Sequence, residues 1–173
     1  MSKILLLLLL ISASSCKSNK FWPADAKNVP YVGDWRYWHR EKGHQTTTDD
    51  VLVAYFALYA ADVFPHLPPV SPVNRYVDLG CGIGSTLFLV AHSLGSTISV
   101  GIEAQYQSAL LASRSAKETG NSHISVIHED IRVFLSPAEK LSSDLYNLPH
   151  NCDLITANPP YAPVTIGTYP KVE

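Results

Sequence analysis

Downstream of residue 74 the chain alternates short apolar runs with longer polar-studded stretches. The runs at 75–79, 97–102, 123–128 and 153–156 have the length and aliphatic content of buried strands. Between them, 85–94 and 106–117 carry helical spacing, and Gly95 and Gly120 stand where each helix would close. A further helix or turn is expected over 131–141. This alternation predicts an α/β fold, a Rossmann-like parallel sheet with flanking helices and ligand sites at the carboxyl ends of the strands. Upstream, 51–64 is apolar enough to be a buried helix. Thr48 suits its N-cap, and Asp49 and Asp50 suit the positive end of its dipole, which is sufficient to explain the aspartates.

Candidate chemistry collects at the predicted strand ends. The first strand runs through Asp78 into Gly80, Gly82 and Gly84, a turn that lets backbone approach a nucleoside-bearing cofactor. Dinucleotide sites want a glycine three residues after the second one, where this chain has Ser85, so the spacing argues against NAD or FAD. The second strand runs into Glu103, about 20 residues beyond the loop, where an acid can accept both ribose hydroxyls. The third leads to Glu129 and Asp130, and the fourth to Asn158-Pro159-Pro160-Tyr161. Taken alone, that tetrapeptide reads first as a Pro-Pro turn that stops a strand and only second as a functional motif. Its place after three ordered upstream elements favours the functional reading.

Together these four elements resemble the class I S-adenosylmethionine-dependent methyltransferases, and more narrowly the branch with an Asn-Pro-Pro-Tyr motif. Members of that branch methylate the exocyclic amine of adenine or the side-chain amide of glutamine, each a poor nucleophile because its lone pair is delocalised. The resemblance implies that the Asn158 side-chain oxygen and the Pro159 carbonyl, its direction preset by the torsions of Pro159 and Pro160, favour a more tetrahedral nitrogen, and that Tyr161 stacks on a flipped-out base. Such a site works by proximity and electrostatics and needs no catalytic His or Lys. The segment from His44 to Leu52 also resembles the one preceding the first strand in methylases of the adenine beside the anticodon of a bacterial valine tRNA. The resemblance implies S-adenosylmethionine (AdoMet) as cofactor and, as the leading acceptor, the exocyclic amine of adenine in tRNA or other RNA, with the glutamine amide of a protein as the alternative. It further implies that the cap at Thr48 lies over the cofactor and that Asp78 orients its methionine part through water or the amino group. Glu103 would take the ribose, Ala104 would pack beside the adenine, Asp130 would accept from the adenine amine and Ile131 would stack on the ring. Glu129 could take the place of Asp130 by a one-residue shift. A non-catalytic remnant that binds cofactor or a partner is the reading from outside the enzymes.

Composition narrows the partners. Charged residues are 16% of the chain against about a quarter in ordinary domains, enough apolar content for one core. The net charge of −2, without a lysine or arginine run, weighs against a large nucleic-acid surface. Cys16, Cys81 and Cys152 are an odd number without metal-ligand spacing, so no disulfide framework and no metal site is expected. Cys81 fits a packing role in the glycine loop, and His128 that of a satisfied residue at a strand boundary.

The sequence divides into a signal-like segment over 1–20, an extension and capping helix over 21–64, a Pro-rich linker over 65–74 and the methyltransferase core over 75–173. Residues 4–11 are all apolar and small residues precede Cys16, the layout of a signal peptide, too short to span a bilayer. Use of an intracellular cofactor instead favours the cytoplasm or an organelle. The stretch 21–44 holds Trp22, Trp35 and Trp38 and is expected to pack over the core or serve as a substrate flap. Four strands where the family has seven lead to the expectation of an incomplete core, or of a second chain that completes the sheet.

Overall fold

The computed structural model describes residues 22–43, 45–62, 73–95, 97–132 and 152–159. In chain order the elements are β1 (Ala26–Pro30), β2 (Arg36–Arg40), α1 (Thr48–Asp62), β3 (Arg75–Leu79), α2 (Ser85–Leu94), β4 (Ile98–Glu103), α3 (Tyr106–Glu118), β5 (Ile124–His128) and β6 (Leu154–Ala157). The chain is thus the expected α/β fold. Four strands form one parallel sheet in the order β5-β4-β3-β6. Central strand β3 pairs on one side with β4, Val77 opposite Val100, and on the other with β6, Val77 opposite Ile155.

That order creates a reversal. From β3 the chain moves one way to β4 and β5, then returns to place β6 on the opposite side. Loops leaving β3 and β6 therefore diverge, and the crevice between them is where open parallel sheets bind ligands. The core beneath it is built from the apolar runs. Tyr76 and Val77 of β3, Ile83, Leu87, Phe88 and Val90 after the glycine loop, and Leu111 of α3 are buried.

Boundaries fall close to those expected. Strand β3 and helix α2 match residue for residue, and Gly95 caps α2 as anticipated. Strand β4 starts at Ile98, not residue 97, β5 starts at Ile124, not residue 123, and β6 spans Leu154–Ala157 rather than 153–156. Helix α3 ends at Glu118, with Thr119 in the cap position ahead of Gly120. The element expected over 131–141 lies almost wholly outside the described residues.

Helix α1 departs from expectation in two ways. Thr48 is its first helical residue, so Thr47 takes the cap position: the Val51 N–H reaches the Thr47 carbonyl, and the Thr47 N–H donates to the Asp50 carboxylate at 2.9 Å. The helix is also only half buried. Ala54 and Ala57 sit in the core, whereas Tyr55 and Phe56 are 61% and 62% exposed, with Val51 and Leu52 on the same open side. A helix that is apolar all round carries no sign of which stripe is covered. Here α1 packs against α2 and β6.

The tryptophan-rich stretch forms an antiparallel hairpin, β1 with β2, seated on α3. The Trp38 N–H donates to Ser115 Oγ at 2.8 Å, and its indole Nε1–H donates to Glu118 Oε2 at 2.8 Å. The Arg114 guanidinium lies 6.0 and 5.9 Å from the ring centres of Trp22 and Trp38, within cation–π reach. On its other side the hairpin grips the start of α2. The Tyr31 hydroxyl donates to the Ser85 carbonyl at 2.9 Å, and Tyr37 reaches Ser85 through Thr46. The aromatics therefore pack and brace the helix that follows the glycine loop.

Candidate active site

The glycine loop is shaped by torsions that only glycine tolerates well. Gly80, Gly82 and Gly84 have φ of +68°, +57° and +92°. A methyl group added at Gly80 would meet nothing within 4 Å, so the backbone there borders open space that a ligand can fill. One added at Gly84 would come within 2.4 Å of the Phe88 ring, a close approach that seats α2 on the loop.

Glu103, the last residue of β4, closes the loop from the neighbouring strand. Its Oε2 accepts the Gly82 N–H at 2.9 Å and its Oε1 accepts the Gln105 N–H at 2.6 Å. With two lone pairs on each oxygen, the carboxylate retains acceptor capacity while these amides hold it in place. Asp78, on β3 directly ahead of the loop, is 2% exposed. Its Oδ1 accepts from the Thr156 hydroxyl at 2.6 Å, and Thr156 is in turn 2.7 Å from the Tyr76 hydroxyl. The other carboxylate oxygen, Oδ2, is buried with no hydrogen-bond partner. Burial pushes the Asp78 carboxyl up to about 7; the Thr156 hydrogen bond and the nearby Leu87 N–H, which falls outside hydrogen-bond geometry, oppose this, and the charges of Asp50 and Glu103 add to it.

The end of β6 approaches this pair from the other side of the reversal. Asn158 Nδ2 donates to Asp50 Oδ1 at 2.7 Å, joining the strand end to the first turn of α1. Asp50 Oδ2 accepts the Thr47 N–H at 2.9 Å, and the Asp50 carbonyl accepts the Thr86 hydroxyl at 3.4 Å. Pro159 follows in the described residues, whereas Pro160 and Tyr161 lie outside them.

Three buried carboxylates, Asp50, Asp78 and Glu103, thus border the crevice, and among the described residues none is ion-paired with a Lys, Arg or His. Buried anions without a counter-charge are costly. A cationic ligand would relieve that cost. Among the described residues no cluster of His, Cys, Asp or Glu is arranged to hold a metal ion.

Other expected positions are placed differently. Thr48 is exposed at the start of α1, and Asp50, two residues on, is the residue that reaches the crevice. Asp130 follows β5, with its carboxylate engaged by its own neighbour: the Arg132 N–H and Nε–H donate to Oδ1 at 2.8 and 3.0 Å, and this guanidinium holds the carboxyl down to about 2. Ile131 is 47% exposed beside it. The Glu129 N–H donates to the Glu103 carbonyl at 3.0 Å, tying the β5 end to the β4 end. The Ala104 carbonyl lies 3.0 Å from His128 Nε2, so His128 is a satisfied boundary residue, as expected. Cys81 is buried with its thiol pushed up by that burial, consistent with packing rather than nucleophilic use. A recess of about 690 Å³ between the hairpin and α3 is lined by Trp22, Asp25, Arg40, Lys42 and Gln107 and by none of the strand-end residues.

A parallel sheet with a glycine loop after its first strand, an acid ending the next, and a reversal between β3 and β6 is the class I AdoMet-dependent methyltransferase fold. Residues 56–157 match the family described as "Histone methylation protein DOT1", and the chain belongs to that family. Solved structures similar to it include M. jannaschii TYW2 in complex with AdoMet, 11% identical over 62% of this chain and 45% of that one, with a TM-score of 0.49. A SAM-dependent methyltransferase from Agrobacterium tumefaciens is 13% identical over 68% of this chain and 36% of that one, with a TM-score of 0.48. TrmN from Thermus thermophilus is 23% identical over 65% of this chain and 29% of that one, with a TM-score of 0.45. The chain spans less than half the length of each of these proteins. No curated protein matches. No helix of the described residues is long and apolar enough to cross a membrane.

Proposed function

We propose that this chain carries the AdoMet site and part of the acceptor site of an N-methyltransferase. The observation that carries the reading is the pair of buried carboxylates facing one glycine loop, Glu103 bound to the Gly82 amide and Asp78 with an oxygen lacking any partner. AdoMet, when bound, supplies a methyl group on a positively charged sulfur together with an ammonium group. An anionic crevice lined by open glycine backbone fits both the charge and the ribose hydroxyls. Glu103 is the ribose acceptor, Asp78 faces the methionine part, and Gly80, Gly82 and Gly84 give the backbone access. Ala104 and Ile131 flank the adenine. Asp130 is its acceptor provided it shares its carboxylate with Arg132, and Thr48 lies at the edge of the site.

On the acceptor side, Asn158 Oδ1 and the Pro159 carbonyl accept hydrogen bonds from the N–H groups of the incoming nitrogen and aim its lone pair. Bound AdoMet would supply the methyl group to that nitrogen with loss of its C–S bond, and the proton displaced from the nitrogen would leave to water. The family's description and the absence of a basic run favour a protein amino or amide nitrogen as acceptor. The Asn158-Pro159-Pro160-Tyr161 motif supports a second reading, the exocyclic amine of adenine in tRNA or other RNA, with Tyr161 stacked on the base. Tritiated AdoMet offered with core histones, a glutamine-containing peptide and total tRNA in parallel separates these. Label in protein or peptide supports the first reading and label in tRNA the second. Tight AdoMet binding without transfer to any acceptor leaves a cofactor-binding remnant.

A further inference from the structure

We infer that Asp50 is a positioning residue for methyl transfer, orienting the Asn158 amide so that its oxygen, not its nitrogen, faces the acceptor; this rests on the reading of Asn158 given above. The two carboxylate oxygens of Asp50 serve different partners. Oδ2 accepts from the Thr47 N–H at 2.9 Å and lies 3.3 Å from the Thr47 hydroxyl, the cap of its own helix. Oδ1 accepts from Asn158 Nδ2 at 2.7 Å, a residue 108 positions away in sequence. Capping requires only the first oxygen. A primary amide can turn end for end at little cost in shape, and a carboxylate accepts but never donates. Asp50 therefore selects the rotamer in which the Asn158 nitrogen points to α1 and the oxygen points away from it. Its 4% exposure keeps water from competing for that bond. The Asp50 carbonyl, accepting from Thr86 near the start of α2, holds the same turn of α1 against the helix that follows the glycine loop.

Asp50→Asn separates orientation from capping. An asparagine oxygen can still accept from the Thr47 N–H, but its nitrogen then faces the Asn158 nitrogen. Two donors cannot pair, so Asn158 turns and presents N–H groups to an acceptor nitrogen that also carries N–H. Using the native protein, tritiated AdoMet at saturation and core histones, glutamine peptide and total tRNA as acceptors, Asp50→Asn should lower kcat by about tenfold or more. The AdoMet KM should change far less. Asn158→Ala should fall as far, and the double variant no further than Asn158→Ala alone, because both changes remove one oriented oxygen. Thr47→Ala, which weakens the cap and leaves the Asn158 contact, should lower the melting temperature and keep the wild-type kcat. Asp50→Asn at the wild-type rate, a double variant whose losses multiply, or Thr47→Ala as slow as Asp50→Asn would overturn the proposal. Absence of transfer by the wild type to every acceptor would instead defeat the methyltransferase reading, and this inference with it.

Discussion

Asp78 offers a sharp physical test, because its burial links protonation to folding. Its carboxyl, raised from 3.8 to about 7, binds a proton more tightly in the folded chain than in the unfolded one. Between those two values the folded state holds a proton that the unfolded state has released, so stability falls as pH rises. Below about pH 4 the penalty is absent, and above about pH 7 it is complete. The gap corresponds to about 4 kcal/mol, an upper figure since water entry and relaxation reduce it. Asp78→Asn keeps the shape and still accepts the Thr156 hydroxyl, yet cannot ionise. Urea unfolding of both proteins from pH 4 to pH 8 isolates the effect of Asp78 and its coupling to Asp50 and Glu103, since titrating groups that do not interact with Asp78 cancel in the difference. Asp130 and Asp25, whose carboxyls are held low by Arg132 and Arg40, act at the acid end of the range in any case. The wild type should lose about 2–4 kcal/mol relative to the variant across that window. A difference that stays flat with pH, or a variant less stable at pH 8 than at pH 4 relative to wild type, would refute the assignment of an unpaired buried carboxyl.

Two further changes probe the same loop. Glu103→Ala removes two charge-assisted hydrogen bonds to backbone amides, so it should cost about 3 kcal/mol of folding stability by denaturant titration and weaken AdoMet at least tenfold by calorimetry. Unchanged affinity would remove Glu103 from the ribose site. Gly84→Ala places a methyl 2.4 Å from the fully packed Phe88 ring at a φ of +92°, and should destabilise the fold by about 1–3 kcal/mol in the same titration. An equal melting temperature would mean that α2 sits further from the loop than described.

Much of this architecture was legible from the order of residues. Short aliphatic runs can only be buried strands when helices alternate with them, and the acids and amide that follow those runs fall at one edge of the sheet for that reason alone. Glu103 and Asn158 could be placed without any knowledge of contacts. Asp50 could not. Its local surroundings, a threonine cap and a helix start, account for an acid there, while the partner that gives its second oxygen a use follows β6, 108 positions away. Asp130 shows the converse: its position after β5 suits a ligand, and the contact that sequence order does not reveal is Arg132, near enough in a tight turn to share its carboxylate. The uncovered side of α1 was hidden by uniform apolarity, since Tyr55 and Phe56 look no different in sequence from Ala54 and Ala57. The hairpin is not legible in the sequence because its strands carry mainly aromatic and amphipathic side chains rather than an alternating aliphatic pattern.

The central claim is that one glycine loop and the carboxylate of the next strand hold AdoMet, and amide hydrogen exchange with and without saturating AdoMet tests it most directly. The account predicts slowed exchange at residues 80–84, 103–106 and 130–131, with the Gly82 and Gln105 amides, already bound to Glu103, among the most protected. Exchange that is identical in both samples, or protection that appears at the hairpin recess instead, would contradict it.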